Sequence, residues 1–289
     1  MKRSCSVVFW DVQHGHSTYI KTPNNRHIVI DLGIGDYSGR NSAFSPLRYL
    51  KANYGVNQLD YVVITHPHLD HIDDILNFDF LSPKVLLLPR LLTNAEVMEG
   101  VIDSARPKFE KYCEIKDRYN ESVVKGSLND TKVPENWGGL SIQTFTPIGC
   151  SHDNFNNFSI VTVIEFAFIT IVIPGDNQKD SFEKLMLMDD FKLAVKDADI
   201  LLAPHHGRES GYLGAFVDLV NPRLTVVSDG RFCDTSANAR YSAKSRGWTV
   251  FQSNGTSQDR YCLTTNTDGE IFVEFGYGDD NTRFLSVKK

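Results

Sequence analysis

Apolar residues along this chain fall into short runs that end on polar groups. Residues 6–10 and 17–22 alternate or run apolar, 25–31 is a third such segment closing on Asp31-Leu32-Gly33, and 59–65 is a run of the buried type. All four predict β-strands. Between the third and fourth, residues 45–53 carry Leu47 and Leu50 at helical spacing, and Pro46 suits a first helical turn. Residues 73–81 predict a short helix beginning one turn beyond the polar stretch 66–71, and 84–88 predict another strand, ending at Pro89.

From 93 to 124 the pattern is polar, charged and weakly amphipathic, broken by Pro107, and reads as a helical insertion. Residues 125–139, rich in Gly, Asn, Asp and Pro, predict a flexible loop at the mouth of the functional site. The strand habit then resumes at 140–146, 159–166 and 167–173, the last running into Pro174-Gly175-Asp176. A helix over 179–194 follows, and 200–203 leads straight into His205-His206-Gly207. A strand at 224–228, a helix at 241–246 and strands at 248–252, 260–264 and 270–275 complete the chain. Two β-rich halves separated by helices imply a layered α/β sandwich, one domain over residues 1–289.

Composition narrows the function without choosing it. With 289 residues, 41% hydrophobic and 23% charged, the chain can bury a large core. Its longest apolar runs, 160–164 and 169–173, are too short to span a bilayer, and the residues after Met1 do not resemble a secretory leader, so a cytoplasmic protein without membrane association is expected. Cys5, Cys113, Cys150, Cys233 and Cys262 are scattered and show no Cys-x-x-Cys spacing, which argues against a disulfide framework and a thiolate zinc site. The net charge of −6 and the lack of a basic tail argue against a tight, non-specific nucleic-acid binder.

The densest chemistry is Thr65-His66-Pro67-His68-Leu69-Asp70-His71, three imidazoles and a carboxylate at a strand end. Such a set is hard to bury without a cation, and imidazole with carboxylate suits zinc, manganese or iron. A site of this kind lowers the pKa of water toward neutrality, which points to a hydrolase.

His66-Pro67-His68-Leu69-Asp70-His71 resembles the His-x-His-x-Asp-His signature of the metallo-β-lactamase-like hydrolases. Asp31-Leu32-Gly33, Asn156-Asn157-Phe158-Ser159, Gly175-Asp176 and His205-His206-Gly207 follow in the order that superfamily uses. Within it, Asp11-Val12-Gln13-His14-Gly15-His16-Ser17 looks like the opening Asp-Val-Gly-Gln-Gly-Asp-Ser of the metallo-β-lactamase-like domain of competence DNA-uptake proteins. The resemblance implies a four-layer αββα sandwich and two divalent ions, zinc or manganese first, magnesium or iron next. It implies His66 and His68 on one ion, Asp70 and His71 on a second, Asp176 between them, and His206 or His205 completing the second site. It implies that Asp31 holds the histidine loop by hydrogen bonds and that Asp70 also serves as base. The membrane channel of the uptake proteins has no counterpart here, so a free-standing relative is expected.

Three departures from the pattern matter. The further histidine that many members place before the Gly-Asp strand is represented only by His152 or the amide Asn157, and Asn157 is the candidate to line the site. The late Gly-His-Pro is replaced by Asp234-Thr235-Ser236, leaving Asp234 as a candidate ligand or substrate contact. His14 and His16 replace a Gln and an Asp, and they could face either the metals or the core. The reaction expected is hydrolysis by metal-activated hydroxide of a phosphodiester in DNA, RNA or a nucleotide, with Asp70, His66, His68 and Asp176 carrying it. Two alternatives stand beside it: hydrolysis of a lactone, thioester or other small carbonyl compound, and a non-catalytic metal-binding subunit of a larger assembly. A cytosolic nuclease needs restraint, so a regulatory protein partner is expected, as in bacterial defence systems.

Overall fold

The computed structural model describes residues 2–35, 44–230 and 237–289. The expected Asp234 contact, together with Cys233, lies outside them. The strands are β1 (Arg3–Phe9), β2 (Thr18–Lys21), β3 (His27–Ile30), β4 (Tyr61–Val63), β5 (Val85–Leu87), β6 (Ser141–Phe145), β7 (Val161–Phe166), β8 (Ile169–Ile173), β9 (Ile200–Leu202), β10 (Leu224–Val227), β11 (Trp248–Phe251), β12 (Ser257–Arg260), β13 (Cys262–Thr264), β14 (Ile271–Tyr277) and β15 (Arg283–Lys288). They form two sheets, ordered β12-β11-β15-β14-β1-β2-β3-β4-β5 and β13-β10-β9-β8-β7-β6.

Strand alternation builds the layers. Cys5, Val7 and Phe9 of β1, Ile28 and Ile30 of β3, and Tyr61 and Val63 of β4 face the second sheet, whose Ile171, Ile173, Ile200 and Leu202 meet them in a central core. The intervening residues Val8, Val29 and Val62 point the other way. Because side chains alternate faces with period two, each sheet has an inner and an outer apolar surface, and helices must cover the outer ones.

They do so on both sides. Helices α1 (Pro46–Asn53), α2 (Leu69–Ile72), α3 (Asn94–Met98) and α4 (Arg106–Arg118) put Leu47, Leu50, Ile72, Val97, Tyr112 and Ile115 on the first sheet. Helices α5 (Lys179–Leu185), α6 (Asp189–Val195), α7 (Gly214–Val220) and α8 (Asn238–Lys244) put Phe182, Phe191, Phe216 and Tyr241 on the second. The result is the four-layer αββα sandwich. Among the described residues no helix is long and apolar enough to cross a membrane.

Several elements differ from the sequence reading. The helix expected over 179–194 is two, α5 and α6. Gln178 caps the first and the chain turns at Met186–Met188 before the second. Pro107 opens α4 at its second position instead of interrupting a helix, a place where its missing N–H costs nothing. The helix expected to start beyond the ligands begins among them: α2 contains Asp70 and His71, and a 3-10 segment, Ile75–Phe80, follows. The loop at 125–139 packs at the far end of β3 from Asp31. Arg26 donates to the Leu128 carbonyl and Asn24 to that of Asn136, while fully buried Trp137 enters the central core beneath the Arg26 guanidinium.

Candidate metal centre

Strands β3 and β4 run parallel in the first sheet, and β8, β9 and β10 run parallel in the second. Parallel strands deliver their carboxyl ends to one edge, where the open crevice of an α/β fold lies. Asp31 follows β3, the histidine run follows β4, Asp176 follows β8, His205 and His206 follow β9, and Ser228 follows β10. The backbone bends sharply to aim them. Asp31, His205 and His206 all have positive φ, at 58°, 47° and 55°, a conformation costly for residues with a Cβ and concentrated at functional sites. Gly175 also has positive φ, and a Cβ there would meet the side chains of Ser159 and Thr65 at 2.9 Å.

Asp176 is the hub. Its Oδ1 lies 3.2 Å from His71 Nε2, and its Oδ2 lies 3.2 Å from His206 Nε2 and 3.9 Å from both His66 Nε2 and His205 Nε2. His68 Nδ1 is 3.0 Å from His66 Nε2, and Asp70 Oδ2 is 3.2 Å from His206 Nε2. Asp70, His71, Asp176 and His206 bring ligand atoms within 4.8 Å of one another.

The outer nitrogen of each imidazole has its own partner. His71 Nδ1 meets Asp31 Oδ2 at 2.7 Å, His206 Nδ1 meets the Ser228 carbonyl at 2.9 Å, His66 Nδ1 meets Thr65 Oγ1 at 3.1 Å, and His205 Nδ1 meets Ser210 Oγ at 2.7 Å. At His71 and His206 the partner of Nδ1 is a pure acceptor, a carboxylate and a backbone carbonyl, so Nδ1 donates outward and Nε2 is the nitrogen left to face Asp176 and a metal. Asp31 also accepts from the Thr65 backbone at 2.7 Å and its hydroxyl at 2.8 Å, so one carboxylate braces the whole turn.

The electrostatics show the same demand for cations. Burial pushes the His66 pKa well below the usual imidazole value and that of His205 down to about 4. At His71 and His206 burial opposes charge too, but Asp176 and neighbouring carboxylates outweigh it. They raise His71 well above its ordinary value and His206 to about 10. In return, His71 and His206 overcome burial to hold Asp70 and Asp176 below the carboxylate range, and His71 with His16 does so for Asp31. His71 Nε2 and His206 Nε2 stand 3.3 Å apart, a distance that needs positive charge shared between them. In the metal-free protein, protons fill that need. The donor set fits divalent ions, which would take their place.

A pH dependence follows for the metal-free protein. Stability from His71 and His206 is complete below about 6.5 and is lost as pH rises through their elevated values. Stability from Asp31, Asp70 and Asp176 is present above about 3.9 and is lost as pH falls below it. The midpoint of thermal unfolding should therefore peak between these limits and fall toward pH 10. Metal uptake near pH 7.5 should release about one to two protons per chain. Calorimetry in buffers of different ionisation enthalpy reads this directly; an apparent binding enthalpy independent of buffer would contradict it.

The remaining candidates are placed as follows. Asn157 lies just outside the cluster: its Oδ1 accepts from the Gln178 backbone at 3.3 Å, and Gln178 Nε2 reaches His205 Nδ1 at 3.2 Å. Asn156, its neighbour, is the amide against His68. His152 pairs with Glu96 at 2.6 Å. His16 is fully enclosed between Asp31 and Thr18, whereas His14 Nε2 reaches Asp70 Oδ2 at 3.3 Å and its ring lies beside His206. The loop carrying His14 is pressed onto the site: Gly15 has a φ of 137°, and a Cβ there would stand 2.4 Å from the Asp70 carbonyl.

The profile of the Metallo-beta-lactamase superfamily matches residues 10–228, which contain every described residue named in the centre. The chain belongs to that superfamily. Its members are metal-dependent hydrolases that bind divalent ions, and the crevice edge of this metallo-β-lactamase fold is where such ions belong. Among curated proteins, ComE operon protein 3 of Bacillus subtilis (strain 168) is 25% identical over 235 residues, 76% of this chain and 28% of that protein. Competence protein ComA of Neisseria gonorrhoeae is 23% identical over 229 residues, 79% of this chain and 28% of that protein. The chain thus spans under a third of the length of either. A UPF0173 metal-dependent hydrolase of Saccharolobus solfataricus is 31% identical over 85 residues, 29% of this chain and 34% of that protein. Similarity to the two competence proteins supports the subfamily resemblance carried by the 11–17 motif.

Residues that the sequence did not single out also enter the site. Ser228 fixes His206 and its Oγ donates to the Gly15 carbonyl at 2.8 Å, tying the two halves of the site together. Asp229 beside it has its pKa pushed up to about 6 by burial. Arg208 reaches His205 Nε2 with Nη1 at 3.4 Å. Only Arg208 carried a sequence signal, its place directly after His205-His206-Gly207.

Proposed function

We propose that this chain is a divalent-metal-dependent phosphodiesterase acting on DNA, RNA or a nucleotide. The observation that carries the reading is the Asp176 carboxylate, which offers its two oxygens to separate imidazoles, with four Nε2 atoms within 4 Å. A carboxylate shared in this way suits two ions, zinc or manganese by donor type. When bound they would supply Lewis acidity toward phosphoryl oxygens and water of lowered pKa. His66 and His68 would hold one ion, and Asp70, His71 and His206 the other, with His205 standing 3.9 Å from Asp176 Oδ2.

The protein's own groups supply the rest. Asp70, the most solvent-open of the three carboxylates and ionised at neutral pH, can accept a hydrogen bond from water and so orient it. Beside His68 an apolar hollow of about 310 Å³ opens between the histidine loop and the α3–α4 segment, lined by Leu69, Val101, Phe109 and Phe155. Aromatic faces next to a phosphoryl site suit stacking of an unpaired base. The relation to competence proteins supports nucleic acid as the substrate class. The same hollow favours a second reading, in which an acyl group enters it and a lactone or thioester is cleaved.

Cleavage of single-stranded DNA, duplex DNA, RNA and cyclic nucleotides, with manganese, magnesium or zinc added in turn, tests the proposal. Metal-dependent phosphodiester cleavage abolished by EDTA is expected. Inertness toward all of these, with turnover of a lactone or thioester, would sink it.

A further inference from the structure

We propose that Arg208 is a substrate-binding residue that takes a non-bridging oxygen of a phosphodiester bound beside the metal centre. This deepens the phosphodiesterase reading and rests on it for the identity of the anion. Arg208 leaves the turn directly after Gly207, and its backbone N–H donates to the His205 carbonyl at 3.0 Å, so its start is fixed to the ligand loop. The guanidinium stands one imidazole away from the hub: Nη1 is 3.4 Å from His205 Nε2, which is itself 3.9 Å from Asp176 Oδ2. Its charge bears on both His14 and His205.

Among the described residues Arg208 makes no ion pair, and its Nε is buried without a hydrogen-bond partner. The adjacent carboxylate, Glu209, is committed to Arg240, whose guanidinium also lies over the Tyr212 ring. A buried donor left unmade costs free energy, and a cation beside a centre that itself gathers divalent ions is worse placed still. An anionic ligand supplies the missing counter-charge. A phosphodiester brings a negative charge and two non-bridging oxygens, which match the fork of a guanidinium, whereas a lactone or thioester is neutral before reaction.

Inorganic phosphate titrated calorimetrically into the metal-reconstituted protein tests this without turnover, with metal content measured in parallel. Arg208→Gln should weaken phosphate binding about ten-fold or more at unchanged metal content. Arg208→Lys, which keeps the charge but loses the fork, should fall in between and serves if the Gln variant does not fold. Phosphate affinity unchanged in either folded variant would overturn the proposal. The two readings separate cleanly. A protein that binds phosphate through Arg208 yet cleaves no phosphodiester keeps this site and loses the proposed reaction. One that cleaves diesters with KM unchanged in Arg208→Gln keeps the reaction and loses this site.

Discussion

Asp176→Asn is expected to end divalent-metal uptake at the centre and to reduce hydrolysis by more than the ~10²–10³ typical of losing one stabilising group. The substitution keeps the shape and removes the charge. It also puts an amide on a carbon whose oxygens now face His71, His206, His66 and His205, so one of those Nε2 lone pairs meets an N–H where it needs a cation. In the parent protein saturating metal should raise the unfolding midpoint, since a ligand at about a thousand times its Kd adds ~4 kcal/mol. In Asp176→Asn that increment should vanish while the metal-free protein still folds. Thermal unfolding with and without manganese or zinc, alongside elemental analysis, reads both outcomes. A variant that still takes up metal and gains the parent's stabilisation would contradict the role given to this carboxylate.

The second large effect belongs to Asp31. It is fully buried and accepts from His16, His71, the Thr65 hydroxyl and the Thr65 backbone N–H. Asp31→Ala strips all of these at once and leaves His16, His71 and Thr65 unpaired in the interior, for an expected loss of about 3–5 kcal/mol. The backbone adds to it, because φ at this position is positive and alanine tolerates that region poorly. Asn accepts the same φ and retains one acceptor oxygen, so Asp31→Asn should fold. Its cost should show in metal affinity, lower by about 10–100-fold, as for other groups that orient a ligand from behind. Equilibrium denaturation separates the pair: equal stability of the Ala variant and the parent would refute the bracing role.

Much of this was readable in the sequence, for reasons that differ from element to element. Strands β1, β3, β4, β8 and β9 were legible because both their faces are buried, which forces apolar runs ending where the chain turns polar. The ligand set was legible because its chemistry is local and dense, at His66–His71, or follows directly on a strand, at Asp176 and His205-His206. Strands β12 and β15 were not expected. The first is Ser257–Arg260, an exposed edge with no apolar residue to declare it. The second is mostly half-buried, so its alternation is faint. The break between α5 and α6 was hidden because Met186 and Met188 continue the apolar spacing across the turn. Trp137 explains the misplaced loop: polar neighbours gave 125–139 the look of a free segment, while a single aromatic anchors it in the core beneath Arg26. Ser228 and Asp229 needed the fold, since what marks them is the company of residues from distant strands, whereas Arg208 was signalled by its place directly after His205-His206-Gly207.

The same distinction explains which of the two adjacent histidines does what. Sequence order could not separate His205 from His206. The left-handed turn brings both rings to Asp176 Oδ2, His206 at 3.2 Å and beside Asp70 and His71, His205 farther off at 3.9 Å.

The central claim is a centre for two ions organised on Asp176, and the measurement closest to it is the number of divalent ions bound per chain after stripping and reconstitution, by elemental analysis on protein of known concentration. Two per chain are expected in the parent, with His206→Ala and His66→Ala each retaining one. A parent protein that never exceeds one ion, or binds none, would contradict it.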